Sequence, residues 1–168
     1  MVTHPQKILA DRYQVVPRSI ILLIKDDRVL LQKAPESKKI FPGLYNGIGG
    51  HIERGEDVLT GTRRELKEEA GVSCSDLHLA GTIMIDVRPL EGILLFVFTG
   101  SSLDGEPVQS SEGTLHWIRV DQLMQYKVVE DIPELVAKIQ EEEETGELFF
   151  GKYLYDENGQ RSTSWVTH

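Results

Sequence analysis

GHIERGEDVLTGTRRELKEEAGV, residues 50–72, is the stretch whose reading decides the fold. From Asp57 to Ala70 the chain contains neither Gly nor Pro apart from Gly61, so a helix is predicted there, and Gly71 is a natural residue to end it. Gly49, Gly50 and Gly55 let the preceding backbone turn sharply and come close to a ligand. On the helix Glu65, Glu68 and Glu69 fall at i, i+3 and i+4, which puts three carboxylates on one face. Like charges so placed repel, whereas a hard divalent cation such as Mg2+ requires clustered oxygen ligands. The competing reading is a solvated acidic face carrying surface pairs such as Arg64 with Glu68, or Glu56 with Arg63 or Arg64.

Outward from that stretch, composition narrows the field. A chain of 168 residues with a 40% hydrophobic fraction is sized for one globular domain, residues 1–168. A net charge of -9 with no stripe of Lys and Arg argues against a nucleic acid polymer as partner. It would also repel an anionic substrate unless cations neutralise the site first, which fits a metal-dependent centre. Cys74 is the one cysteine, so no intramolecular disulfide can form and a reducing cytoplasm suits the chain. The N-terminal MVTHPQKILADRYQ lacks the apolar core of a signal peptide. The longest apolar runs, Ile20 to Ile24 and Ile93 to Phe98, are strand-sized and far short of the ~18 residues of a membrane span. A soluble cytoplasmic protein with no membrane partner is expected, as monomer or homodimer.

Taken in order, Ser19 to Lys25 and Arg28 to Lys33 predict a hairpin turning at Asp26-Asp27. Ala34 to Leu44 is a polar, proline-containing loop at the edge of the site, where Lys33, Lys38 and Lys39 are candidates for phosphate contact or plain solvated lysines. His78 to Ile85 and Gly92 to Thr99 predict strands joined by Val87 to Glu91. Ser101 to Glu112 is polar and turn-rich, Leu115 to Val120 predicts a short strand, and Asp121 to Tyr126 a helical turn. A second helix starts near Pro133 with Asp131 as N-cap and Glu134 three residues on, and Glu141 to Glu144 is its solvated end. Leu148 to Tyr155 is a late strand followed by the turn Asp156 to Gly159. Strands with helices on both sides predict an α/β fold, an α/β/α sandwich with a mixed central sheet.

Gly50, five residues, Glu56, seven residues, then Arg64-Glu65-Leu66-Lys67-Glu68-Glu69-Ala70-Gly71-Val72 resembles the complete signature of the Nudix hydrolases, GX5EX7REUXEEXGU, at every fixed position. The resemblance implies the Nudix-type sandwich and an enzyme that uses Mg2+ or Mn2+ to hydrolyse a nucleoside diphosphate linked to a further group. It implies metal ligation by Glu65, Glu68 and Glu69, with the carbonyl of Gly49 adding to it, and a pair of Glu56 with Arg64 that holds the loop on the helix. Glu65 or Glu69 is the implied general base, and the sequence does not separate ligand from base.

Tyr45-Asn46-Gly47-Ile48-Gly49-Gly50, Gly105-Glu106-Pro107-Val108, and Glu112 with Trp117 resemble the MutT-type diphosphatases that clear oxidised purine nucleoside triphosphates such as 8-oxo-dGTP. That branch implies a purine bond from Asn46, a further metal ligand at Glu112, and reading of the purine edge by acids near Glu130-Asp131, with a nucleoside monophosphate and pyrophosphate as products. The chain departs from the branch in Tyr45, where a Trp is frequent, and in Val128-Val129, where a Trp is expected beside the acids. Hydrolysis of ADP-ribose, a dinucleoside polyphosphate or an isoprenyl diphosphate stays open on the same signature. So does a non-catalytic nucleotide sensor, although such a protein should have lost a metal carboxylate and all three stand here.

Overall fold

A computed structural model describes residues 9–167. Residues 1–8 of the stretch read against a signal peptide lie outside the described part. The strands are β1 (Gln14–Lys25), β2 (Arg28–Lys33), β3 (Tyr45–Asn46), β4 (Ser73–Cys74), β5 (His78–Arg88), β6 (Glu91–Gly100), β7 (Leu103–Asp104), β8 (Thr114–Arg119), β9 (Phe149–Tyr155) and β10 (Arg161–Thr167). The helices are α1 (Val58–Ala70) and α2 (Ile132–Thr145), with a 3-10 turn at Val120–Gln125. No described helix is long and apolar enough to cross a membrane.

The mixed sheet runs β10-β9-β5-β6-β1-β2-β3, and β8 joins on β2. β1 is its pivot. Over Gln14 to Leu23 it pairs in parallel with β6, and beyond Ile24 it turns into β2. The turn residues Asp26 (φ 49°) and Asp27 (φ 57°) are both left-handed, which matches the twist of a two-residue hairpin. On its other edge β1 bonds to the segment that carries the glycines: Ile21 N–H donates to the Ile48 carbonyl, and Ser19 N–H to the Gly50 carbonyl at 2.9 Å.

Because helices cover both faces here, β1 is apolar on both from Ile20 to Ile24, with no alternation. Ile20, Leu22 and Ile24 pack with Ile132, Leu135, Val136 and Ile139 of α2. Ile21 and Leu23 pack with Leu66 and Ala70 of α1. The expected α/β/α layering is present.

Several sequence expectations need correction. β1 begins at Gln14 rather than Ser19, and the connection assigned to Val87 to Glu91 shrinks to Pro89-Leu90 because β5 and β6 run to its edges. β10 was not expected, since RSTSWVT is mostly Ser and Thr and gives little apolar signal. Asp131 precedes α2, but its backbone is helical and its side chain makes no capping bond. Glu134 bonds Trp165 and Arg161 instead of reaching back to the cap. Glu142, read as part of a solvated end, is buried and faces His78.

Candidate active site

α1 is built as its sequence requires. The Asp57 carboxylate accepts the Thr60 N–H at 2.9 Å as N-cap, and Gly71 ends the helix with φ 72°. Arg64 clamps the preceding loop to it. Its Nε and Nη2 donate to the two oxygens of Glu56 at 2.7 and 3.0 Å, and Nη2 also donates to the His51 carbonyl. Its Nη1 donates to Glu65 at 2.9 Å and to Glu68 at 3.2 Å. This fork holds the Glu56 carboxyl down at about 2 and pushes the Arg64 guanidinium up.

The glycines make room for these carboxylates. A Cβ on Gly50 would lie 2.6 Å from a Glu65 carboxylate oxygen, and one on Gly61 2.9 Å from Glu56. Gly49 (φ 142°) passes so close to β1 that a Cβ would lie 2.3 Å from the Ser19 carbonyl oxygen. Its N–H donates to Glu69 at 3.1 Å. Glu69 is half-buried on this face of the helix. Burial, helped by the charges of Glu65 and Glu112, pushes its carboxyl up to about 7 against the pull of the Gly49 N–H and Lys38.

Glu112 reaches this group from the loop before β8 and pairs with Lys38 at 2.7 Å. Among the described residues no three acids close on one point as they stand. Arg64 and Lys38 take oxygens of Glu65, Glu68 and Glu112 instead. The donor chemistry nevertheless suits a hard divalent cation. Every group is an oxygen ligand, and Glu65 and Glu112 stand close enough for their charges to act on the Glu69 carboxyl.

Glu69 and Gly49 also form part of the wall of a cleft of about 860 Å3 between the loop 34–44 and the sheet. Its walls are largely apolar, from Phe41, Leu44, Ile85, Leu95 and Val129, with Tyr153 at the base of β9. Asn46 stands in it, with its side-chain oxygen accepting the Gly47 N–H at 2.8 Å, so the group it can offer a ligand is its amide NH2. Val129 N–H donates to the Tyr45 carbonyl, and Tyr45 N–H to the Lys127 carbonyl; this extra pairing carries Glu130 and Asp131 to the cleft beside Asn46. Burial raises the Asp131 carboxyl. Lys38 and Lys39 line the cleft, whereas Lys33 is not among its lining residues. One position along β2 turns it to the other face, where its amine lies 5.7 Å over the Tyr45 ring.

The structure therefore brings Gly49, Asn46, Glu69 and Asp131 onto one cleft, with Glu56, Arg64, Glu65, Glu68 and Glu112 beside Glu69, and leaves Lys33 outside. Sequence reasoning did not reach Gln32, whose buried side-chain amide nitrogen has no partner, nor Tyr153 and the β10 residues behind it. A buried glutamine facing Asn46 across the β2–β3 register was recoverable in principle from the strand alternation.

A family model for the NUDIX domain matches residues 15–139. The oxidized purine nucleoside triphosphate hydrolase of Mus musculus is 32% identical over 106 residues, which cover 62% of this chain and 67% of the mouse protein. The NAD-capped RNA hydrolase NudC of Pseudomonas aeruginosa is 30% identical over 121 residues, 71% of this chain but 41% of its own length. Among solved structures, the mutator MutT protein from Bacillus halodurans superposes with a TM-score of 0.73 at 22% identity, covering 90% of this chain and 97% of that one. At that identity the likeness is one of fold.

Proposed function

This chain belongs to the NUDIX family and is a Nudix hydrolase, and from that premise we propose that it is a pyrophosphohydrolase of nucleoside triphosphates. The substrate class includes oxidised purines of the 8-oxo-dGTP kind, and the products are a nucleoside monophosphate and pyrophosphate. The observation that carries this reading is the position of Glu69, which belongs at once to the carboxylate face of α1 and to the wall of a largely apolar cleft, roomy enough for a nucleotide, that contains Asn46. The mouse relative, named for oxidised purine triphosphates, supports the choice of substrate.

Nudix hydrolases use divalent cations, and here Glu65, Glu68, Glu69, Glu112 and the Gly49 carbonyl would hold Mg2+ or Mn2+. Such an ion supplies charge neutralisation at the phosphates and acidifies bound water. The chain's own residues do the rest. Arg64 keeps Glu56 and the loop in register with the helix, so that Gly49 and Glu65 keep their places. Lys38 and Lys39 stand at the cleft where phosphates enter. The amide of Asn46 and the carboxyl of Asp131 face the base, and the apolar wall between them excludes water. Glu65 or Glu69, both on the carboxylate face beside the cleft, is the group that takes a proton from the attacking water. The proposed setting is the cytoplasm, and the proposed substrate a small nucleotide.

The test is a matched panel of dGTP, 8-oxo-dGTP, ADP-ribose and a dinucleoside polyphosphate with Mg2+, then Mn2+, with pyrophosphate and orthophosphate measured separately. Preferred turnover of 8-oxo-dGTP with pyrophosphate release supports the reading. Turnover of ADP-ribose or a dinucleotide alone keeps the metal face and overturns the base assignments.

A further inference from the structure

Lys25, Arg28 and Arg119 stand in one row across three strands. Lys25 of β1 is the register partner of Arg28 of β2, and Arg28 in turn is the partner of Arg119 of β8. Residues directly opposite each other share a face of the sheet, with Cβ atoms about 5 Å apart, and like charges so placed work against the pairing of the strands. All three side chains are exposed, so no burial compensates for that repulsion. Arg119 is partly matched: its Nε and Nη2 donate to Asp121 at 3.0 and 2.8 Å, which leaves Nη1. Lys25 and Arg28 have no ion pair or side-chain hydrogen bond among the described residues. In a chain of net charge -9 this row is a local inversion of sign.

Trp117 lies two residues before Arg119 and so on the same face. It packs, partly buried, against the apolar cluster under α1. With the three cations and Pro107 it also lines a hollow of about 490 Å3. That hollow shares no lining residue with the cleft containing Asn46 and Glu69. Asp26 and Glu106 line it too, so cations outnumber acids by three to two. A balance that slight, on an otherwise acidic protein, suits the phosphates of one small molecule and not a polymer whose charges run on beyond the hollow. Guanidinium forks and an ammonium are the donors that phosphate oxygens take, and an anion bound across the row would remove its repulsion. The aromatic face beside them can stack on a flat ring. A ligand that carries both groups is a nucleotide.

We propose that this hollow is a second nucleotide-binding site, separate from the catalytic cleft, in which the row of Lys25, Arg28 and Arg119 holds the phosphates and Trp117 the base. It goes beyond the pyrophosphohydrolase reading and does not rest on it.

The test titrates the full chain with ADP in chelator, which keeps metal-dependent turnover out of the measurement. Binding is read from the indole N–H signal of Trp117 in nitrogen–proton correlation spectra, assigned as the signal lost in Trp117→Phe. ADP should move that signal saturably, and adenosine, which lacks phosphate, should bind at least about tenfold more weakly. Arg28→Gln should weaken ADP about tenfold at the same signal, and Lys25→Gln should weaken it in the same direction. Both residues are exposed, so both variants should fold. Whatever response the Gly49 amide of the cleft shows to ADP should be the same in wild type and Arg28→Gln. No saturable movement with ADP, an unchanged midpoint in Arg28→Gln, or adenosine binding as tightly as ADP overturns the proposal. Equal weakening at Trp117 and Gly49 overturns it as well, since the two signals would then report one bound molecule. A single-stranded oligonucleotide that binds at Trp117 more tightly than ADP overturns the assignment to a small ligand. None of these outcomes bears on the choice of catalytic substrate, which the triphosphate panel decides.

Discussion

The carboxylate of Glu69 accepts the N–H of Gly49 at 3.1 Å, a bond that ties the third signature acid of α1 to the strand segment pairing with β1. Glu69→Gln keeps an oxygen able to accept that bond while removing the negative charge. It should therefore leave the melting temperature close to wild type and lower kcat by about two orders of magnitude or more. Retained turnover in a folded Glu69→Gln protein would show that this carboxylate is neither base nor essential ligand.

Glu56 ionises with its folded value near 2, below the ordinary 4.5, because Arg64 grips it. A group whose folded value is depressed contributes stability above its unfolded value and loses that contribution as pH falls through the folded one. The window here is from about pH 4.5 down to about 2. Glu56→Gln should be less stable than wild type at neutral pH, and the gap should close across that window in thermal unfolding. A gap of constant size from pH 6 to pH 2 would mean that the pair does not act through charge.

Gly50→Ala would press a methyl group against Glu65, 2.6 Å from its oxygen, whereas Gly55→Ala meets no atom and suffers only from φ 93°. The two variants should separate. Gly55→Ala should lose about 1 kcal/mol of stability with activity largely kept. Gly50→Ala should lose activity by about tenfold or more with a smaller change in unfolding midpoint. Equal activity in both would mean that Glu65 can move without consequence.

Leu23 is fully buried between β1 and α1. Leu23→Ala should cost about 2–5 kcal/mol in chemical denaturation. Cys74 is buried, and its thiol is pushed up to about 12, chiefly by burial and then by Asp76. It should therefore stay unreactive toward a disulfide reagent at pH 8 until the protein unfolds. Fast modification of the folded protein would place Cys74 at the surface.

The parts of this molecule that could be read from the sequence are those where one local rule dominates. Asp57 and Gly71 bound α1, whose spacing then puts the i, i+3, i+4 acids on one face, and Asp26-Asp27 marks a hairpin turn. Asp131 misled because the sequence pattern of a cap does not reveal the backbone angle, and its helical conformation turns the carboxyl toward the cleft instead. Arg161 was invisible for a different reason. Its partners Glu130 and Glu134 lie about thirty residues away and become neighbours only when a strand of low hydrophobicity docks. The apolar wall from Ile85 and Leu95 is likewise a product of sheet order, which strand periodicity does not encode.

The parallel pairing of β1 with β6 joins Gln14 to Glu91. Long loops must close before such contacts give any return. A growing chain that has been synthesised only to residue 90 already contains every residue of the signature, yet β1 still lacks the neighbour that secures its far edge. Ser19, against which Gly49 is seated, stands on that half-bound strand. The 23-residue stretch from Gly50 to Val72 is thus a catalytic alphabet without grammar until later segments arrive, and grafting it alone onto another scaffold should transfer the acids but not their arrangement.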